Sequence, residues 1–504
     1  MIEVVAIDTP SLGDRSYLVT DGAAALVVDP QRDIDRILVA AADRGVAVSC
    51  VFETHIHNDY VSGGLALAEE TGAAYHVNGA DDVALRRAAI GDGDVVEAGS
   101  MRVRVLATPG HTWTHLSYAL EDAATGAVAG VFTGGSLLHG STGRPDLLGA
   151  RHAPALAAAQ YASARRLAAL LPGPTPVYPT HGFGSFCAAG TATAAGTATA
   201  AGTATAAGTA TAAGTVTAAG TVTAAGLPTI AGEGRANPVL TLDEDRYITS
   251  LLSGLDVVPA YYARMAPANT FGADAPALLP PPRVLAGQVP GRVAAGDWVA
   301  DLRDRRAFAA GHVPGSLNFP LGGAFATYLG WLLPEGARLT LLAETPCQVA
   351  AAQRELSRIG VDRIAGAAIG TLADWLGTED PARCPVSDFR GLAAARRGGV
   401  PTILDVRRPL EWAASHIDGA VHIPLHELPG RLRELQPQVP GRATVPLWVH
   451  CQSGYRAAIA AALLAAAGHQ VTLVDDDFAR AAAAGLPCAG GRGQPLTERA
   501  VPAA

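Results

Sequence analysis

The chain has 504 residues, 49% hydrophobic and 16% charged, enough length for about three domains and enough apolar content for several buried cores. The formal net charge of −9 is spread along the chain, and all 37 basic residues are arginine. This balance argues against nucleic acid as a partner and leaves small anions to local Arg placement.

No run of about 18 strongly apolar residues marks a membrane span. Val4–Ile7 already reads as a strand, with no basic-then-apolar leader before it, so the expected location is the cytoplasm. The six cysteines are scattered without CxxC spacing and read as reduced thiols rather than a disulfide framework or zinc knuckle.

Residues 1–250 alternate short strand-like runs with Ala-rich helical ones. Ala25–Val28, then Ile34–Ala42, then Val48–Phe52 show the pattern, which predicts an α/β domain. The run VFETHIHNDYVSGG puts His55, His57 and Asp59 just after a strand. Alternate residues of an extended turn point the same way, so the two imidazoles can converge on one ion. TPGHTWTHLSY adds His111 after a Gly turn, and VYPTHGFGSF adds His181 after another strand. Four histidines at strand ends, beside Thr or Gly, point to a metal centre.

From Thr191 to Gly226 the chain repeats TATAAG, the last two copies reading TVTAAG. Ala, Thr and Gly offer little apolar surface against the entropy of ordering, so a weakly ordered insertion is expected, with a stacked β-solenoid as the alternative. Residues 251–284 read as a linker that ends in the stiff, Pro-rich ALLPPPRV. Two similar units follow, one from Trp298 (WVADLRDRRAFAAGHVPGSLNFPL) and one from Thr402 (TILDVRRPLEWAASHIDGAVHIPL). Each carries a strand ending in Asp-x-Arg, a short helix, and His-x-x-Gly before another strand.

After the second unit, PLWVHCQSGYRAAIAAALLAAAG reads as strand, tight loop and helix. The loop from Cys451 through Gly454 to Arg456 sets a thiol at a helix N-terminus among backbone N–H groups. The helix and Arg456 should favour the thiolate there.

With Asp405, Arg407, His416, Gly419 and His422 upstream, this unit (386–495) resembles the rhodanese sulfurtransferase domain. The resemblance implies that Cys451 accepts sulfane sulfur as a persulfide held by loop amides. The unit at 285–380 resembles the same family but departs at the loop. Glu344 falls opposite Cys451, Cys347 opposite Gly454 and Val349 opposite Arg456, so this copy is expected to be degenerate.

The histidine series resembles the metallo-β-lactamase superfamily over residues 1–250, which implies an αββα sandwich. Within it, GHT, GRPDL (Gly143 to Leu147), the ANP at Ala236–Pro238 and the fused rhodaneses look like persulfide dioxygenases. That resemblance implies one iron(II) per chain, with zinc as the alternative. It also implies oxidation of glutathione persulfide or an analogue to sulfite with O₂. Arg144 and Asp146 would shape the substrate pocket or form a structural salt bridge.

Two positions depart from the pattern. HxHxDH ends as Asp59-Tyr60, and TGD is Thr133-Gly134-Gly135. These losses leave His55, His57 and His111 to a mononuclear site, with Asp59 as a substitute ligand and His181 as a further candidate ligand. The expected activity is a persulfide (sulfur) dioxygenase joined to a thiosulfate-type sulfurtransferase in sulfur metabolism. Its expected partners are small persulfides, thiols, thiosulfate or sulfite, and O₂, with no membrane or nucleic acid, and homo-oligomerisation is left open. A glyoxalase II-like thioester hydrolase and a metal-free scaffold carrying a sulfurtransferase are the rival readings.

Overall fold

Alternation along the first strands sends Val4, Ala6, Tyr17, Val19, Leu26, Val28, Cys50 and Phe52 to one face of a sheet. Val5, Ile7, Leu18, Ala25, Val27 and Val51 go to the other. Both faces are apolar because both are covered, which is why these strands read as continuous hydrophobic runs.

The computed structural model describes residues 2–189, 220–221, 227–285, 287–399, 401–435 and 446–490. The first sheet has seven strands in the order Gly220–Thr221, Glu3–Thr9, Asp14–Thr20, Ala24–Val28, Ala47–Phe52, Ala74–Asn78, Ala88–Ile90. A second, five-stranded sheet runs Val177–Pro179, Val128–Gly134, Leu116–Asp122, Met101–Ala107, Val95–Ala98. Their inner faces share one core, in which Phe52 meets Tyr118 and Tyr17 meets Phe132 and Tyr178. Helices Asp35–Ala42 and Gly64–Thr71 pack on the outer face of the first sheet. Ala153–Leu170 and Glu244–Ser253 pack on that of the second. The expected αββα sandwich is formed, and the described residues as a whole mix helices with strands.

The chain packs as two compact units, residues 1–284 with 321–370, and residues 285–320 with 371–504. In the first unit, residues 251–284 are more than the expected linker. They contain helix Tyr262–Phe271, whose Tyr262, Met265 and Asn269 are buried. Helix Pro346–Arg358 belongs to the same unit, and its Arg358 pairs with buried Asp33 at 2.7 Å, as Arg36 does at 2.8 Å. Burial alone would raise the Asp33 carboxyl, but the two guanidinium groups bring it down to about 2. The TATAAG stretch lies outside the described residues except for Gly220–Thr221, which pairs with Glu3–Thr9.

The second unit holds a parallel five-stranded sheet in the order Val386–Ser387, Val471–Val474, Leu447–His450, Thr402–Asp405, Val421–His422. Helix Tyr455–Ala466 buries its small Ala positions and Ile459, Leu463 and Leu464. Trp298–Asp301 pairs in parallel with Leu317–Asn318, Asp301 opposite Asn318. Asp405 opposite His422 repeats that register in the later copy.

Candidate metal centre and sulfur-carrier loop

The metal-centre residues sit where strands end. Asp14 opens Asp14–Thr20, and Asp29 follows Ala24–Val28. His55 and His57 follow Ala47–Phe52, and His181 follows Val177–Pro179. Among the described residues, Asp29 is the one non-glycine with positive φ, at 51°. Its strained backbone is held by Thr54, whose N–H and hydroxyl both donate to its carboxylate, at 2.7 and 2.8 Å, and by the Thr180 hydroxyl.

Five imidazoles meet in the buried interior, with the His115 ring 5.0 Å from that of His55. The ring of His55 lies 4.1 Å from that of His57, 4.7 Å from His111 and 5.4 Å from His181. Ligand atoms of His55, His57 and His181 lie within 4.8 Å of one another, as do those of His111, His181 and Cys187. His181 is thus common to both groups, more central than the sequence suggested. Asp14, Asp59 and His181 form a third such group, and Asp29, Glu53 and His57 a fourth.

Each ring is oriented by an outer partner, as metal-ligating histidines require. His111 Nδ1 lies 2.8 Å from the Arg144 carbonyl. His57 Nε2 lies 3.0 Å from the Tyr60 hydroxyl and 3.2 Å from Glu53. His55 Nδ1 meets the Thr54 hydroxyl at 2.9 Å, and His181 Nδ1 meets Asp14 at 2.8 Å and Asp59 at 3.2 Å. The inward nitrogens are the ones left over. His57 Nδ1 and His111 Nε2 are buried without a hydrogen-bond partner, and Nε2 of His55 and His181 stand 3.4 Å apart. Buried nitrogens without partners are costly, and a cation satisfies them. The residues present therefore fit a metal ion.

Electrostatics point the same way. Four buried carboxylate side chains, Asp14, Asp29, Glu53 and Asp59, surround the imidazoles. Burial, with help from His181, pushes His111 down to about 3, which keeps its lone pair available. Burial also lowers His57, but Asp29 and Glu53 outweigh it and bring that ring up to about 9. Burial and the Asp59 charge push Asp14 up to about 7. A divalent cation entering this pocket would meet the same negative field.

The two departures from the metal motif have structural consequences. The Tyr60 ring stacks on His57 at 4.3 Å, so its hydroxyl props a histidine. A side chain added at Gly135 would collide with the His111 ring, and the Gly135 N–H donates to His115 Nε2 at 3.0 Å. Imidazoles thus fill the space a carboxylate would need. Arg144 forms a two-point pair with Asp146, at 2.7 Å twice, and also donates to the Asp256 and Phe186 carbonyls. Its guanidinium is engaged with the protein, while its carbonyl steers His111.

Sequence reasoning missed Asp14, Asp29, Glu53, His115, Cys187 and Asn269. Asn269 holds the His57–Ser62 loop with three hydrogen bonds, two to the His57 and Tyr60 carbonyls and one from the Ser62 N–H, all at 2.8 Å.

In the second unit, Cys451 is buried at the end of Leu447–His450. Gly454 takes φ 87°, and a side chain there would collide with Asp475, so the turn into the helix requires glycine. Arg456 pairs with Glu411 through both nitrogens, at 2.6 and 2.7 Å, and so anchors the loop to the short helix Pro409–Ala414. Burial would raise Glu411, but Arg456 draws it down to about 2.

The metallo-beta-lactamase superfamily pattern matches residues 14–181, and the rhodanese-like domain pattern matches residues 390–484. A hydroxyacylglutathione hydrolase of Acidiphilium cryptum is 38% identical over 118 residues, 23% of this chain and 48% of that protein. A probable polyketide biosynthesis zinc-dependent hydrolase of Bacillus velezensis is 30% identical over 184 residues, 33% of this chain and 72% of that protein. The chain spans about half the length of the hydroxyacylglutathione hydrolases it matches. A metallo-beta-lactamase of Staphylococcus aureus, solved as a crystal structure, superposes with a TM-score of 0.59 and 25% identity, covering 73% of this chain and 99% of that one. The chain belongs to the metallo-beta-lactamase superfamily, and a rhodanese-like domain follows at its C-terminal end.

Proposed function

We propose that the N-terminal domain is a persulfide dioxygenase-like enzyme that oxidises a low-molecular-weight persulfide, glutathione persulfide or an analogue, to sulfite. In the same reading the rhodanese-like domain moves sulfane sulfur through Cys451. One observation carries the proposal. The imidazoles of His55, His57, His111 and His181 gather at one place, while Tyr60 and Gly135 stand where a two-metal hydrolase uses His and Asp.

One iron(II) held by these histidines would supply the redox chemistry that joins O₂ to the persulfide sulfur. The chemistry balances as one persulfide, one O₂ and one water giving one thiol, one sulfite and two protons. The chain's own part is to position and to exclude solvent. Glu53, Tyr60 and Asn269 fix His57 and its loop, and the Arg144 carbonyl fixes His111.

At Cys451 the donor's sulfur–sulfur bond breaks, a new one forms to Sγ, and the thiol proton leaves with the departing thiol. The N–H groups of Gln452, Ser453 and Gly454 have no protein acceptor among the described residues, so they can face the terminal sulfur anion. Thiols, thiosulfate and sulfite fit as partners of this loop.

A second reading, hydrolysis of a glutathione thioester, draws on the names of the hydroxyacylglutathione hydrolase relatives. Metal analysis of the purified protein separates the readings. One iron per chain is the expected result. Two zinc ions per chain would favour the hydrolase, and no metal would favour a scaffold that only presents the sulfurtransferase.

A further inference from the structure

The metal motif lacks its carboxylate at Gly135, and the His111 ring fills the space in front of that position. A neutral set of imidazoles binds a divalent cation less firmly than a set with one anionic donor, because the charge attraction is smaller. Another anionic donor within reach would make up the deficit.

Cys187 is within reach. It is fully buried, and its sulfur lies within 4.8 Å of a ring nitrogen of His111 and of one of His181, which are themselves equally close. His111 Nδ1 faces the Arg144 carbonyl, which leaves Nε2, buried and without a partner, as the nitrogen available to an ion. The thiol makes a 3.9 Å contact from Sγ to the Tyr262 hydroxyl and a hydrogen bond with the Asp59 side chain. Its backbone is firmly placed. The Cys187 N–H donates to the Ser185 hydroxyl at 3.1 Å, and its carbonyl accepts from the Arg144 N–H at 2.8 Å.

Asp14 and Asp59 each turn one oxygen to His181 Nδ1, at 2.8 and 3.2 Å, which is the place of groups that orient a ligand from behind, and each keeps its other oxygen buried without a hydrogen-bond partner. Asp59 also accepts from the Ser185 hydroxyl at 3.3 Å.

We propose that Cys187 binds the metal ion through its thiolate and supplies the anionic donor that Gly135 cannot. The claim rests on the metal-centre reading above. On binding, the S–H bond is replaced by a sulfur–metal bond, and one proton passes to solvent. A mixed nitrogen and sulfur donor set selects borderline ions such as iron(II), cobalt(II) or zinc(II) over magnesium or calcium.

The test replaces the native metal of the full-length protein with cobalt(II). The expected spectrum shows the visible bands of bound cobalt and a near-ultraviolet sulfur-to-cobalt charge-transfer band. That band should persist in Cys451→Ser and Cys50→Ser and vanish in Cys187→Ser, with the visible bands retained. X-ray absorption at the cobalt edge of the unmodified protein should count one sulfur neighbour, which keeps the test decisive if the Cys187 variant fails to fold. Cobalt bound without a sulfur band or sulfur neighbour overturns the thiolate and leaves the metal centre standing. A band that survives Cys187→Ser also overturns it. Failure of the unmodified protein to bind cobalt overturns the metal-centre reading and this proposal together.

Discussion

The two Asp-x-Arg segments share their supporting chemistry and part at the loop. In the earlier copy Arg303 pairs with Asp301 at 2.6 Å, donates to the Gly311 carbonyl at 2.9 Å and lies over the Trp375 ring. In the later copy Arg407 pairs with Asp405 at 2.6 Å, donates to the Ser415 carbonyl at 2.7 Å and lies over the Phe478 ring. The loops differ. The side chain of Gln348 accepts from the Glu344 and Thr345 N–H groups, closing a capping box at the start of Pro346–Arg358. The Glu344 and Thr345 amides are therefore taken, and Glu344 adds a carboxylate. Around Cys451 the N–H groups of Gln452, Ser453 and Gly454 have no protein acceptor among the described residues. The ion pair supports the strand in both segments, and it is the loops that set them apart.

The sharpest way to break this comparison is to exchange the thiols. Cys451→Ser should lose sulfur transfer to background in a thiosulfate or persulfide assay, whereas Cys347→Ser should retain it in full. Sulfur found by mass spectrometry on Cys347 would remove the contrast. The shared scaffold predicts the opposite symmetry. Arg303→Ala and Arg407→Ala each strand a buried aspartate and should each cost about 3–5 kcal/mol in chemical denaturation.

A smaller effect separates the copies by pH. The Glu411 carboxyl is held at about 2 against an ordinary 4.5, so its contribution is complete above pH 4.5 and lost as pH falls toward 2. Glu411→Gln should cost about 3 kcal/mol at neutral pH, a figure that shrinks through that window. A constant difference from pH 7 to 3 would show that Arg456 does not hold the carboxylate. Smallest is Gly454→Ala, which forces a left-handed backbone on a residue with a Cβ and should cost about 1–3 kcal/mol. Sulfur transfer should fall with it as the loop shifts, which the same assay on the folded fraction would register.

Local signals carried much of this into the sequence. The four histidines singled out at strand ends do gather at one candidate metal centre, and the alternation of strand-like and Ala-rich runs pointed to the α/β layers. The groups that escaped notice act across long separations. Asn269 reaches the His57 carbonyl from 212 residues away, within a stretch whose Pro-rich end reads as a linker. Asp29 looks like an ordinary turn residue until its strained backbone and threonine partners are seen. Cys187 carries no motif and gains meaning only beside His111 and His181. The middle segment reads as one repeat unit, yet residues 321–370 pack with the metal domain, where Arg358 meets Asp33.

The central claim is that the histidine centre oxidises a persulfide. The most direct measurement is oxygen uptake by the full-length protein, reconstituted anaerobically with iron(II) and then given glutathione persulfide. The account predicts uptake with one sulfite formed per O₂, lost in His111→Ala and retained in Cys451→Ser. No uptake with any low-molecular-weight persulfide by protein that has bound its iron would contradict it.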